Sequence, residues 1–310
     1  MSALRCNVCQ SSQCDTVATL HSEVDQNEYQ AIRCRTCGLV FASPLPSLSF
    51  EDLQHVYGET YTEGIREPIG NDRALDLLRT ATGRQMDIVE RYVKKGLALN
   101  VGAMNGAIQV LQERGWRLRI VEVSRYAAET ARRRWGFDVT VSRVEDYDCL
   151  PDTFDFIKLG HVIEHLADPT LAMKGLYRIL RPRGVILIDT DNATGLRTQI
   201  ELTARGVLGE ATAVRLVRKF TGKDLRKRYG RLIPPVHLYY FSESSLVRLL
   251  ESVGFEVISV RKPAWGDKTW FPLADTSSLS VPEKAFIKLD QLGALLGSGD
   301  LISVLARKPG

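Results

Sequence analysis

Long apolar runs are missing from this chain. In its 310 residues no stretch approaches ~18 uninterrupted apolar positions, so no membrane-spanning helix is expected. The first residues, Met1 to Cys6, lack the apolar core of a secretory signal, and a cytoplasmic location is expected. Strong charge of either sign is also missing: a net charge of +4 does not by itself imply a nucleic-acid partner. No internal repeat or low-complexity tract is present, which excludes solenoid and fibrous architectures. What remains is ordinary: 44% apolar and 25% charged residues, enough for a full globular core, at a length that suggests about two domains.

The modest total charge hides an asymmetry. Between Arg197 and Arg231 there are ten Lys/Arg and three Asp/Glu, a surplus of seven that leaves the remainder net negative. The basic positions include Arg215, Arg218, Lys219, Lys223, Arg226, Lys227, Arg228 and Arg231. Ile200, Val207, Leu208, Ala211, Val214, Val217 and Phe220 in the same stretch approximate helical spacing. The segment 193–240 therefore reads as an insert that sets specificity. It would hold an anionic small molecule through its cations or rest on an anionic membrane surface through 193–231. The plainer reading is a solvated basic helix on the core.

Six cysteines are present, and four form two pairs, Cys6-x-x-Cys9 and Cys34-x-x-Cys37, separated by 24 residues. Two such knuckles supply four thiolates, the donor set of a tetrahedral structural Zn2+ site. Gly38 follows the second pair, where a tight turn favours a residue without Cβ. A ribbon of about 40 residues has too small a core to stand alone, so bound metal would contribute directly to its stability. Cys14 and Cys149 lack partners at ligand spacing and read as ordinary thiols.

Ser43-Pro44-Leu45-Pro46 breaks the ribbon pattern. The organisation expected is a zinc ribbon over 1–48, a helical lid or linker over 49–94, a ligand-binding domain over 95–262 carrying the insert 193–240, and an extension with a last strand over 263–310. Tyr57 and Tyr61 fall on one helical face if their segment is helical. Strands are expected near 97–101, 118–122, 137–141, 154–159 and 185–189, and helices near 106–114, 124–135, 169–180 and 243–253. Alternation of this kind gives a mostly parallel sheet. Two late strands, 255–261 and 301–307, are expected as an edge hairpin.

The first of these strands opens into a glycine turn, Asn100-Val101-Gly102-Ala103-Met104-Asn105-Gly106, and the second ends on Glu122, twenty residues past Gly102. That is the position of a ribose-binding acid in a Rossmann-type unit. The turn lacks the central glycine of G-x-G-x-x-G, whose place Met104 takes, which argues against a pyrophosphate. S-adenosylmethionine (SAM) fits such a turn: adenosine at one end, a sulfonium in the middle, an amino acid at the other.

Over roughly 50–262 and a final strand near 300–307, the chain resembles the class I SAM-dependent methyltransferases. The resemblance is carried by the glycine turn, Val121-Glu122-Val123-Ser124, Phe154-Asp155-Phe156-Ile157, His161-Val162-Ile163-Glu164-His165-Leu166-Ala167-Asp168-Pro169 and Ile179-Leu180-Arg181-Pro182-Arg183-Gly184. With its paired-cysteine segment it is similar to bacterial methyltransferases of sugars and related small molecules. The resemblance implies a Rossmann-like α/β sheet with a reversed edge hairpin. It implies SAM contacts from Asn100, Gly102, Ala103, Met104, Gly106, Glu122, Val123, Glu145, Gly160 and His161. Glu145 or Asp146 would lie near the adenine, and Gly160-His161 near the methyl group. Asn100, where the family has an acid, and Met104, where it has a small residue, depart from the pattern.

A hydroxyl nucleophile benefits from a base titrating near neutrality. His161 after the fourth strand, then His237 in Pro234-Pro235-Val236-His237, then His165 beside Glu164 are the candidates. His161-x-x-Glu164-His165 also matches a zinc-protease pattern, but it leaves a strand and meets Asp168-Pro169 at once, which argues against a protease helix. Similar ubiquinone-pathway O-methyltransferases hold a divalent metal on acid-x-x-acid-His. Here His161 stands where the first acid would. Nucleic-acid methylation is disfavoured: the fourth strand is not followed by a D/N-P-P-aromatic box, and no Pro-Cys dipeptide is present. The expectation is a SAM-dependent enzyme acting on a small anionic metabolite, a sugar nucleotide or a glycan or lipid precursor. The alternatives are a silent binding module of the same fold and an RNA-directed methyltransferase.

Overall fold

The cysteine-flanked N-terminus folds into three antiparallel strands, β1 (Cys14–His21), β2 (Glu28–Cys34) and β3 (Val40–Ser43). In this computed structural model the described residues are 4–22, 25–66, 72–102, 106–209, 236–268 and 281–310, with positions 212, 215, 270 and 272. Three helices follow: α1 (Phe50–Val56), α2 (Glu59–Arg66) and α3 (Asp72–Val89). Ser49 and Asp52 form a reciprocal capping box at the start of α1, satisfying backbone donors that a helix end otherwise leaves open.

The parallel sheet begins at β4 (Leu97–Val101). It continues through β5 (Arg117–Glu122), β6 (Val139–Val141), β7 (Phe154–Gly160) and β8 (Leu180–Asp191). Between them run α4 (Gln109–Glu113), α5 (Arg125–Trp135) and α6 (Pro169–Ile179). The helix ends follow from sequence. Ser124 caps α5 and the left-handed Gly136 stops it, while Asp168 caps α6 with Pro169 in its first turn. After β8 come α7 (Leu196–Leu208), β9 (Tyr239–Tyr240), α8 (Glu243–Val253), β10 (Glu256–Arg261), α9 (Val281–Leu295) and β11 (Leu301–Arg307). The seven-stranded order is β10-β11-β8-β7-β4-β5-β6, with β11 antiparallel to both neighbours and the remaining pairs parallel. This is the mostly parallel α/β sheet with a reversed edge hairpin that the alternation implied.

Three local expectations change. The helix expected over 106–114 is a 3-10 turn, Gly106–Ile108, followed by the short α4. The strand expected over 185–189 runs from Leu180 to Asp191, since β7 pairs with it at Leu180 and β11 pairs with it from Val185 to its end. The aromatic pair Tyr57/Tyr61 does meet, edge to face with centroids 5.1 Å apart. The two residues do not share a helix, however: Tyr57 caps α1 and Tyr61 lies in α2.

The small sheet is not confined to the N-terminus. Its order is β1-β2-β3-β9, so a strand from residues 239–240 closes it. The two sheets also share one core, in which Cys6, Ile32, Leu39 and Phe41 pack in the same cluster as Leu166, Met173, Tyr239 and Leu246. On α7 the apolar pattern does not mark the buried face: Ile200, Val207 and Leu208 are exposed, whereas Leu202 and Arg205 are buried. Ala211, Val214, Val217 and Phe220, and the basic positions from Arg218 to Arg231, lie outside the described residues. Among the described residues no helix is long and apolar enough to cross a membrane.

Candidate functional site at the carboxyl ends of the strands

Parallel strands of an open sheet present their carboxyl ends to a common crevice, and the loops there carry the ligand contacts. On the first of these loops Gly102 has φ +95, a conformation that a side chain would strain. Its N–H donates to Val121 O at 2.8 Å, locking the turn against β5. Asn100 Nδ2 donates to Gly102 O, so the amide that replaces the family's acid braces the turn. Ala103 and Met104 lie outside the described residues, and Gly106 opens the 3-10 turn beyond them.

Glu122 ends β5 beside this turn and is 7% exposed. Its Oε1 accepts from Ser124 N–H at 2.8 Å, which fixes the carboxylate over the strand end. Gln54 of α1 clamps the same loop from above, donating to Val123 O at 2.7 Å and accepting from Arg125 N–H at 2.8 Å. Val123 thus offers its carbonyl to α1. Glu145 lies in the 3-10 turn Val144–Asp146, and burial raises its carboxyl above the usual range. Asp146 is engaged by Arg143 at 2.6 Å.

The other half of the rim surrounds His161. Its φ of +53 is rare for a residue with a side chain, and its N–H is held by Asp189 O at 2.8 Å. Gly160 immediately before it pairs with Asp189 in the β7–β8 register. His161 Nδ1 lies 3.1 Å from Glu164 Oε1, and Thr190 Oγ1 donates to Glu164 Oε2 at 2.9 Å. Burial by itself would lower the His161 imidazole. The hydrogen bond and charge of the fully buried Glu164 outweigh it and raise the group to about 9. His161 is therefore an imidazolium at neutral pH, and Glu164 is held well below the usual carboxylate range despite its burial.

His165 behaves oppositely, because burial dominates and lowers it. Its Nδ1 is 2.9 Å from Val236 O. A carbonyl can only accept, so Nδ1 carries the proton and Nε2 keeps its lone pair. Tyr57 OH donates to the same carbonyl at 3.2 Å. His237 packs edge to face on His165, centroids 4.4 Å apart, with its Nδ1 3.9 Å from Asp191 Oδ2. The three histidines singled out in the sequence thus converge on one site. Both oxygens of Glu164 are taken by protein donors, so hydrogen bonds satisfy this group without an ion.

Three further side chains had not been singled out. Trp265, in the segment after β10, stacks on His161 with centroids 5.9 Å apart and planes 22° from parallel. Its backbone N–H donates to Asp290 Oδ2 of α9 at 2.7 Å, and Asp290 also accepts from Asp300 N at 2.8 Å. Asp191 ends β8. Glu164 had been only part of a motif. A carboxylate at the end of a parallel strand was the available signal for Asp191. Nothing local in the sequence brings Trp265 to His161.

Away from the rim, Cys6, Cys9, Cys34 and Cys37 bring their sulfurs within 4.8 Å of one another. Cys6 Sγ is 3.6 Å from Cys37 Sγ, and Cys9 Sγ is 3.5 Å from Cys34 Sγ. A tetrahedral ion with bonds of ~2.3 Å needs sulfurs about 3.8 Å apart, which this cluster matches. The chain segment after His237 connects the two places. Leu238 N donates to Glu164 O at 2.8 Å, and Ser242 Oγ donates to Cys37 O at 2.5 Å.

Comparison with known proteins agrees with this fold. The family described as "Methyltransferase domain" matches residues 82–260, more than half of the chain. A ubiquinone biosynthesis O-methyltransferase of Pasteurella multocida (strain Pm70) is 24% identical over 117 residues, 38% of this chain. The chain spans 44% of that relative's length. A SAM-dependent methyltransferase of Archaeoglobus fulgidus superposes with a TM-score of 0.53 at 16% identity, covering 81% of this chain and 100% of that one. One from Thermotoga maritima gives 0.50 at 20% identity, covering 83% and 99%. At these identities the likeness is one of fold.

Proposed function

The chain belongs to the methyltransferase-domain family, and on that premise we propose that it transfers a methyl group from SAM to a small anionic metabolite, a sugar nucleotide or a glycan or lipid precursor. The observation that carries the reading is the rim itself: Gly102 and Glu122 at the tips of adjacent strands, and the His161–Glu164 pair at the tip of the next. When bound, SAM supplies an electrophilic methyl group on a positively charged sulfur.

The residues present fit that ligand. Gly102 gives backbone access, and Glu122 holds a pre-oriented carboxylate where ribose hydroxyls need acceptors. Tyr57 and Tyr61 lie close enough to Glu122 and Glu164 to feel their charge, which adds aromatic surface to the rim. His161, His165 and His237 line the acceptor end. His161, as an imidazolium, orients the incoming group by donating a hydrogen bond, and positioning of this kind can supply much of the rate. Glu122, Glu145, Glu164 and Asp191 make the described rim acidic, so the anionic part of the acceptor needs cations from elsewhere, and the Lys/Arg surplus of 197–231 is the source that the sequence offers. Arg197 is not available for that task, being committed to Asp300.

We also assign one Zn2+ to Cys6, Cys9, Cys34 and Cys37, on the strength of their spacing and their thiol chemistry. Four closely set thiols suit a reducing compartment, which supports a cytoplasmic location. The experiment is a screen of nucleotide sugars with SAM, read by release of S-adenosylhomocysteine. Turnover with a nucleotide sugar supports the proposal. SAM binding with turnover confined to uncharged acceptors contradicts the anionic class.

A further inference from the structure

Among the buried groups of the rim, Asp191 is the one that the account above leaves unused. It ends β8 and is 5% exposed. Among the described residues its Oδ2 has no hydrogen-bond partner, although it is buried. A buried carboxylate oxygen left without a hydrogen bond is costly and needs a reason. Its neighbours are specific. His161 at the end of β7, Glu164 in the turn that follows and Asp191 bring ligand atoms within 4.8 Å of one another. His237, just ahead of β9, lies 3.9 Å away, too far for a hydrogen bond. Arg197 of α7 and Asp300 ahead of β11 also act on it through charge, in opposite senses.

We propose that Asp191 is the proton-accepting group of the acceptor site and that it becomes fully ionised when the positive sulfonium is bound. The inference rests on the SAM reading and deepens it. In the step concerned the acceptor's nucleophilic atom forms a bond to the methyl carbon, while the sulfur–carbon bond breaks and its electron pair stays on sulfur. The proton that leaves the acceptor ends on Asp191 Oδ2, so atoms and charge balance without another reactant.

The division of labour follows from the surroundings. His161 already carries its proton and is tied to Glu164, and Glu164 spends both oxygens on His161 and Thr190. Asp191 has an oxygen to offer. Burial pushes its carboxyl up to about 7, so at neutral pH the empty site holds it part-protonated. A fixed positive charge in a low-dielectric site favours the ionised form of a neighbouring acid. The base is thereby readied by the donor, before transfer.

The test needs no acceptor. SAM and S-adenosylhomocysteine are titrated into the full chain at pH 7 by calorimetry in phosphate and in Tris, whose ionisation enthalpies differ, so that the proton count is read from the difference. Wild type should release about half a proton per SAM, as expected for a group titrating near the working pH, and close to none with S-adenosylhomocysteine, whose sulfur is uncharged. Asp191→Asn should bind S-adenosylhomocysteine within a few-fold of wild type, bind SAM roughly tenfold more weakly because the neutral amide cannot ionise, and release no proton with SAM; Asp191→Glu should restore part of the release. Circular dichroism and S-adenosylhomocysteine binding check the fold, and Asp191→Ser replaces the asparagine variant if that one does not fold. An undiminished proton count in the variants, or equal counts for the two ligands in wild type, overturns the role of Asp191 alone. Absence of binding by either ligand to wild type overturns the SAM reading beneath it.

Discussion

At the end of the rim proposed for the donor, Gly102 and Glu122 sit twenty residues apart at the tips of two adjacent strands, braced by Asn100, Ser124 and Gln54 of α1. At the acceptor end, the side chains arrive from four separate places: 161–165, 190–191, 236–237 and 265. The first end is held by backbone hydrogen bonds and one turn. The second is held by coupled charges, with His161 driven to about 9 and Asp191 to about 7. A ligand common to many enzymes needs a conserved geometry, which short-range sequence spacing can encode. An individual acceptor needs side chains assembled by tertiary contact, and the charge state of each then depends on its neighbours.

The comparison can be broken in several ways, the largest first. Cys34→Ser should lose the metal and, because the knuckle shares a core with β9 and the main sheet, lower the melting temperature of the whole chain by roughly 10 °C. Elemental analysis and a thermal melt check this; a metal-free wild-type chain that melts cooperatively at the same temperature as the variant refutes the assignment.

Glu164→Gln should leave burial as the dominant influence on His161 and drop its midpoint from about 9 to below its ordinary 6.5. Histidine C–H resonances followed by NMR over pH 5–10 read the change. The same pair predicts a pH dependence of stability. A histidine raised on folding contributes fully below about 6.5, and that contribution is lost as pH rises through about 9. Denaturant midpoints should therefore fall across that window in wild type and stay flat in the variant.

Gln54→Ala should loosen the lid from Val123 and Arg125 and weaken SAM binding roughly fivefold, the worth of about 1 kcal/mol of hydrogen bonding. His161 should titrate as before. An unchanged affinity would show that the lid helix does not support the donor end. Trp265→Ala should do the converse: SAM affinity within about twofold, and a His161 midpoint lower by less than a unit, since an aromatic face over a cation is worth about 0.5–1 kcal/mol. A large loss of SAM affinity in this variant would erase the distinction between the two ends.

What could be read in the sequence follows the same division. The alternation of strand and helix segments located the strands and most helices, because the patterning behind it is local. The place of Glu122 at a strand tip beside the glycine turn was legible through its distance from Gly102. The cysteine pairs were legible through their spacing. Trp265 was not, since its place over His161 depends on Asp290 and Asp300, residues far along the chain. The fourth strand of the small sheet was hidden for a related reason. Tyr239-Tyr240 is two residues long, and what makes it a strand is the edge of β3. On α7 the helical spacing of Ile200, Val207 and Leu208 pointed to a buried face that the fold leaves exposed, because Leu202 and Arg205 occupy the packed side instead.

The most direct test of the account is calorimetric titration of SAM into wild type and Glu122→Ala, both checked for fold by circular dichroism. The account predicts micromolar binding to wild type and a loss of roughly 100-fold or more in the variant, the worth of charge-assisted hydrogen bonds to a buried carboxylate. Equal affinity in the two proteins would contradict the placement of the donor at Gly102 and Glu122.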